Sequence, residues 1–256
     1  MQCQFRLAII LFFLSIQPAF ADISNGLVGW WQFDDGSGTT AADHSNQFGA
    51  TAHNGALTGS ISWVAGKYGM GLSFPSGSGN WIDFGNNVVG SLLNGKSGST
   101  LSFWFNYSGV NGGNPILFAG EIGSSATKNA VLCWFASAYT LQCGGRSEAT
   151  DNFQGLTYGS SITVGAWYYV TLVQNLAANT VSLYINGQLT GSSAASYGST
   201  TFVNSVSPND DEMGNNYQLG YNFYGIMDDV RLYNRALSAG EVWDLYQGGA
   251  QGLGGD

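Results

Sequence analysis

The residues able to do chemistry in this sequence are few, and their spacing is selective. Hydrolysis of a glycosidic bond needs two carboxyl groups projecting from one face, which along a strand means acids at alternate positions, and no segment expected to be a strand carries such a run. Glu121, Glu148 and Asp151 sit in turn-rich stretches, while Asp210-Asp211-Glu212 follows Pro208, where we expect a loop of solvated charge or a secondary cation site. His44 and His53 share one early loop without a thiol nearby for zinc. No Gly-x-Ser-x-Gly elbow or cysteine partner supports a nucleophile triad, and no phosphate-binding glycine motif opens a helix. These constellations favour binding over catalysis.

Cys133 and Cys143 are the informative thiols. The segment from Val131 to Cys143 reads as two short strands folded about Ser137 to Tyr139, which sets Cys133 opposite Cys143 and predicts a hairpin disulfide. The alternatives are two reduced buried cysteines or, less supported with only two thiols, a metal site. Opposed residues share a face and neighbours alternate. Val131, Cys133, Phe135, Tyr139, Leu141 and Cys143 are therefore expected toward the core, with Leu132, Trp134, Thr140 and Gln142 facing away.

The same alternation places Leu101, Phe103 and Phe105 on an apolar face and leaves Ser102, Trp104 and Asn106 opposite. Val181, Leu183 and Ile185 likewise leave Tyr184 opposite. Trp104, Asn106, Trp134, Gln142 and Tyr184 are thus candidates for one aromatic, amide-bearing surface, suited to the C–H faces and hydroxyl edges of a neutral or basic glycan. The alternative is that Trp134 is an ordinary packed residue.

These side chains must be positioned by strands. Only 9% of the 256 residues are charged, against a usual ~25%, while 38 are glycine and 14% aromatic. This composition disfavours long surface helices and favours short strands with tight turns, an all-β fold. Seven Lys and Arg against 16 Asp and Glu, a net charge of −9, deny the chain the cationic footprint that nucleic acid attracts. Arg6, the apolar run Leu7 to Ile16 and Pro18-Ala19-Phe20-Ala21 read as a signal peptide over residues 1–21, cleaved before Asp22, so we expect a secreted, extracellular or periplasmic protein. No second apolar segment is long enough to span a membrane. Cys3 leaves with the leader, so Cys133 and Cys143 meet an oxidising compartment as a pair.

The clearer strands run over Leu27 to Phe33, Gly71 to Phe74, Trp81 to Phe84, Thr100 to Tyr107, Ile116 to Ala119, Trp167 to Val173, Val181 to Ile185, Tyr217 to Tyr221 and Gly225 to Tyr233. Asn186-Gly187 predicts a type I′ hairpin turn. Ser238-Ala239-Gly240-Glu241 is a capping box opening one helix to about Tyr246. We expect one domain over residues 22–247 and a flexible glycine-rich tail over 248–256.

The closing stretch Gly225-Ile226-Met227-Asp228-Asp229-Val230-Arg231-Leu232-Tyr233-Asn234-Arg235-Ala236-Leu237-Ser238, with Glu241-Val242 and Leu245-Tyr246, resembles the C-terminal signature of laminin G-like jelly-roll domains of the concanavalin A-like superfamily. Gly26 to Asp43 is similar to that family's N-terminal strand and loop, and Trp167 to Gly187 to its central tryptophan strand and Asn-Gly hairpin. The resemblance implies a two-sheet antiparallel jelly-roll sandwich with one short C-terminal helix, its first and last strands near each other. It also implies that Trp104 is a packed residue, the alternative to its place in a sugar surface.

By alternation Asp228 points inward with Ile226, Val230 and Leu232, and Asp229 and Arg231 form a surface ion pair. A buried carboxylate demands a partner, and the resemblance implies a structural Ca2+ between the N-terminal loop and the last strand. Its expected ligands are Asp43, Asn46, Gly49 and Asp228; the alternative is an Asp228 satisfied by hydrogen bonds alone. Fold does not decide function. The expected function is a secreted non-catalytic, lectin-like carbohydrate-binding domain, with a secreted polysaccharide hydrolase or lyase, or an extracellular adhesion or matrix protein binding another protein, as alternatives.

Overall fold

The computed structural model describes residues 23–109, 115–121, 129–137, 139–146, 152–203, 210–215 and 222–248. The expected signal peptide, the strand at Tyr217 to Tyr221, Glu148, Asp151 and the tail beyond 248 lie outside the described residues. The first strands are β1 (Leu27–Trp31), β2 (Thr40–Ala41), β3 (Gly55–Thr58), β4 (Ser62–Ala65), β5 (Met70–Phe74), β6 (Trp81–Asn86), β7 (Gly98–Tyr107) and β8 (Ile116–Glu121). They are followed by β9 (Asn129–Ser137), β10 (Thr140–Arg146), β11 (Phe153–Thr157), β12 (Trp167–Asn175), β13 (Thr180–Ile185), β14 (Gln188–Ala194), β15 (Asp210–Met213) and β16 (Gly225–Tyr233). Two helices, α1 (Val88–Leu93) and α2 (Ala239–Gly248), and a short 3₁₀ turn, Ser45–Phe48, complete the described elements.

The strands form two eight-stranded antiparallel sheets. The first runs β14-β13-β12-β7-β16-β5-β4 with β1 pairing β16, and the second runs β11-β10-β9-β8-β15-β6-β3-β2. Leu27 pairs Tyr233 and Trp31 pairs Val230, so the first and last strands are neighbours as the resemblance implied. Between the sheets lies an aromatic core with Trp31, Phe33, Phe74, Phe103, Phe105, Phe118, Phe135 and Phe223 among its members. The alternating apolar residues of β7 and β13 supply its floor: Leu101, Phe103, Phe105, Val181, Leu183 and Ile185 all belong to it.

The two halves of the β9–β10 hairpin meet at Cys133 and Cys143, which pair in register and are disulfide-bonded. The predicted core side of that hairpin holds for Val131, Cys133, Phe135, Leu141 and Cys143, but Tyr139 is 39% exposed. A register shift between Thr140 and Leu141 breaks the alternation just after it. At the β13–β14 turn Asn186 and Gly187 have φ of 52° and 74°, the pair of positive angles a type I′ turn requires.

A second correction concerns Asp210-Asp211-Glu212, which form strand β15 between β6 and β8 rather than a loop. Asp211 and Glu212 are buried. Asp211 Oδ2 accepts the backbone N–H of Val89 at 2.7 Å, in the first turn of α1. A strand of charged residues carries no period-two signal, because its neighbours rather than its own apolar face hold it in place.

Candidate functional site

Along β16 the alternation expected from the sequence is broken. A register shift between Asp228 and Arg231 against β7, with Asp229 at φ 48°, inserts one residue, so Met227, Val230 and Leu232 enter the inter-sheet core. Asp228 and Arg231 keep their pairing to Trp104 and Ser102 of β7 on the outer side of the first sheet. The predicted inward position of Asp228 is thereby overturned, and so is the surface ion pair. Asp229 and Arg231 are joined at 3.2 Å with side-chain exposures of 1% and 0%, and Asp229 Oδ1 also accepts Trp30 Nε1–H at 2.9 Å. The Arg231 guanidinium lies 5.1 Å from the Trp30 ring centroid.

Asp228 is equally buried. Its Oδ2 accepts the backbone N–H groups of Lys67 and Tyr68 at 2.8 and 2.9 Å, while Oδ1 has no partner among the described residues. Burial pushes its pKa up to about 8, with the Asp229 and Asp34 carboxylates adding to the rise against those two backbone donors. Asp34 Oδ1 in turn accepts Met70 N–H at 2.7 Å, so one turn is held from both ends by carboxylates. A Cβ at Gly66 would stand 2.6 Å from Asp228 Oδ2, leaving room there for glycine alone.

Of the other residues expected to hold calcium, Asp43 is the buried one. Its Oδ1 accepts N–H from Trp30 and Ser45, both at 2.9 Å, and Oδ2 accepts His53 N–H at 2.8 Å. Three backbone N–H groups thus satisfy both oxygens of this carboxylate. Asn46 and Gly49 lie on the exposed side of the 3₁₀ turn and its cap, and Gly49 N–H bonds Asn46 O. Among the described residues no group of three or more His, Cys, Asp or Glu side chains is placed to hold a metal. Asp43 latches its loop through these three backbone donors, whereas Asp228 keeps an open oxygen.

The expected single sugar surface is also divided. Trp104 and Tyr184 are only 3% and 7% exposed, because α2 lays Val242 and Leu245 over them together with Trp30, Tyr169 and Tyr233. Lys67 Nζ sits 4.6 Å from the Trp104 ring centroid. Asn106 is tied by its Nδ2–H to Gly165 O at 2.9 Å. Trp134 and Gln142 belong instead to the second sheet, on the opposite side of the sandwich. Alternation assigned each strand's faces but could not show which sheet a strand joins.

Around Trp134 the second sheet builds a platform the sequence reading did not contain. Gln142 pairs Trp134 on one side and Thr157 of β11 on the other, and donates Nε2–H to Thr157 Oγ1 at 3.2 Å. Gly144 and Gly155 pair beside them, and a Cβ at Gly144 would come within 2.7 Å of Phe153 Cζ, so the Phe153 ring rests over this glycine floor. Its centroid is 4.7 Å from that of Trp134, with the planes at 79°. Trp134, Phe153 and Gln142 are all half-buried. Phe153 and Thr157 were missed because Phe153-Gln154-Gly155-Leu156-Thr157 has weak strand propensity by itself. The signal available was the pair of glycines left where large outer side chains would stand.

Farther along the same face Ala119 pairs Glu212, and Glu212 pairs Asp83 across β15 and β6. Paired residues share a face, so two carboxylates from different strands stand opposite each other there. A search for acids alternating along one strand could not find them.

This architecture is that of a known class. The chain belongs to the concanavalin A-like lectin/glucanases superfamily, whose laminin G-like model matches residues 76–243. Among solved structures it is similar to domain 4 of AbnA, an extracellular arabinanase from Geobacillus stearothermophilus solved with arabinotriose, at TM-score 0.61 and 18% identity over 86% of this chain and 98% of that one. It also resembles the binding domain of Paraclostridial Mosquitocidal Protein 1 at TM-score 0.64 and 16% identity, over 88% of this chain and 52% of that one. The binding domain of botulinum neurotoxin serotype D follows at TM-score 0.62 and 15% identity over the same shares, 88% and 52%. This chain spans about half of each of these toxin domains. A search of curated proteins returned no significant match.

Proposed function

We propose that this chain is a carbohydrate-binding module acting outside the cytoplasm, with its site on the Trp134–Phe153 platform. The observation that carries the reading is the half-exposed Trp134 set at right angles to Phe153, beside the Gln142 and Thr157 hydrogen-bonding groups. A sugar ring places its C–H face against such rings and its hydroxyls on the amide and the threonine. The arabinotriose bound by the AbnA domain supports the class of ligand. The buried disulfide supports an oxidising compartment. A glycan array run with calcium and with chelator, followed by titration of the hits, is the test. Trp134→Ala is expected to weaken retention about tenfold with an unchanged melting temperature; unaltered retention rejects the platform.

A second reading, hydrolysis of the same glycan, is favoured by the Asp83–Glu212 pair. Cross-strand Cβ atoms stand about 4.5–5.5 Å apart, compatible with the ~5 Å between the carboxyl groups of a retaining glycosidase. New reducing ends released from the array hits, and lost in Glu212→Gln, would establish it.

The calcium expectation becomes a proposal centred on Asp228. Asp228 would hold the ion through its open oxygen with Asp34 as the nearby second carboxylate, and the ion would supply the positive charge this buried group lacks. Thermal melts should then rise on adding Ca2+ to chelated protein, in Asp43→Asn as in wild type but not in Asp228→Asn. Equal melts with calcium and chelator reject the ion.

A further inference from the structure

Among the described residues the exposed large hydrophobic side chains are Tyr139, Val164, Leu189, Val203 and Trp243. Two of them flank one turn. Trp243, 41% exposed, projects from α2 on the side away from Val242 and Leu245, which are buried against the first sheet. It meets the β13–β14 turn at Gly187, where a Cβ would stand 2.9 Å from Trp243 Cε3 and 2.9 Å from Tyr246 Cδ1. Gly187 also has φ 74°, so glycine is required twice over. The indole is thus propped on backbone with its outer side open, and Leu189, 55% exposed, continues the apolar surface along β14.

Amides flank the indole among the described residues. Gln188 and Gln247 are exposed amides, Gln247 lying four residues beyond Trp243 on the same helix face. Neither residues 186–189 nor 239–248 contain Lys or Arg. Of the two acids in these stretches, Glu241 is held by Arg235 at 2.6 Å, and Asp244, next to Trp243 in the chain, is half-buried. An open aromatic face rimmed by primary amides suits the C–H face and hydroxyls of a neutral sugar ring.

We propose that Trp243, with Gln188, Leu189 and Gln247, forms a second carbohydrate-contact site for an uncharged glycan, on the side of the sandwich opposite the Trp134 platform. The chain is then bivalent, joining two polysaccharide strands or gripping one particle at two points. Bivalence rests on the platform reading, whereas the Trp243 site stands without it.

The test uses the whole chain with soluble xylan, galactan, arabinan and mixed-linkage β-glucan, reading retention in affinity gels and precipitation by turbidity. Wild type should precipitate at least one of them. Trp134→Ala and Trp243→Ala should each keep retention, weakened about tenfold, yet lose precipitation, and the double variant should lose both. Gln188→Ala with Gln247→Ala leaves the indole in place and should also abolish precipitation. Precipitation undiminished in Trp243→Ala, retention abolished entirely by Trp134→Ala, or no retention of any of the four by wild type overturns the second site. If Trp243→Ala alone abolishes retention and Trp134→Ala changes nothing, the Trp243 site stands and the platform reading fails.

Discussion

Burial opposes a charge on Asp228. In calcium-free protein the buried carboxyl holds its proton up to about pH 8, whereas an unfolded chain releases it near pH 4. Between those limits the native state binds more protons than the unfolded one, so stability falls as pH rises through the window and levels off above it. Asp228→Asn carries no charge into the interior and keeps an acceptor for Lys67 and Tyr68 N–H. We expect it to flatten the pH dependence and to exceed wild type in stability above pH 8, measured by urea denaturation in chelator from pH 5 to 9. A slope equal to that of wild type would contradict the burial argument. Trp104 and Trp134 make the complementary point at the same scale: both are outward tryptophans on their strands, yet one is sealed beneath α2 and the other half open.

At the scale of the element, β16 is organised by its bulge. The extra residue brings Asp228 and Asp229 to the outer side together, and Asp229 then joins the β1 indole of Trp30 to Arg231. Removing one partner of a buried pair strands the other charge, which costs about 3–5 kcal/mol. Asp229→Ala should therefore lower the urea midpoint sharply. Asp229→Asn, which tolerates positive φ and retains an acceptor for Trp30, should cost less. Equal, small losses in both variants would show that the pair contributes little.

For the whole molecule, the pairing of β1 with β16 ties the two ends of the described chain, while the disulfide ties a local hairpin of the opposite sheet. The bridge spans a sequence separation of 10, and a loop of that size is worth about 2–3 kcal/mol on the chain-entropy account. Replacing both cysteines by serine should lower unfolding free energy by that amount and loosen the register that sets Trp134 beside Gln142. A fall in glycan retention greater than the stability loss explains would mark the hairpin as part of the site. Unchanged stability would mean that packing alone holds it.

Local signals in the chain were enough for an all-β fold, and the family resemblance of its closing stretch implied the sandwich. Period-two alternation in β7 and β13, the Asn186-Gly187 turn, the capping box at Ser238 and the opposed cysteines each depend on neighbours a few residues apart, and each survives in the structure. Tertiary structure decided what depends on distant strands. The bulge at Asp229 exists because its carboxylate is fixed by Trp30 and Arg231; Asp210 to Glu212 form a strand because β6 and β8 flank them. Whether an outward aromatic meets solvent depended on where α2 came to rest and which sheet received β9 and β11. Alternation reports the side of a strand a residue occupies, but burial is set by what packs against that side, and that partner lies too far along the chain for local periodicity to encode.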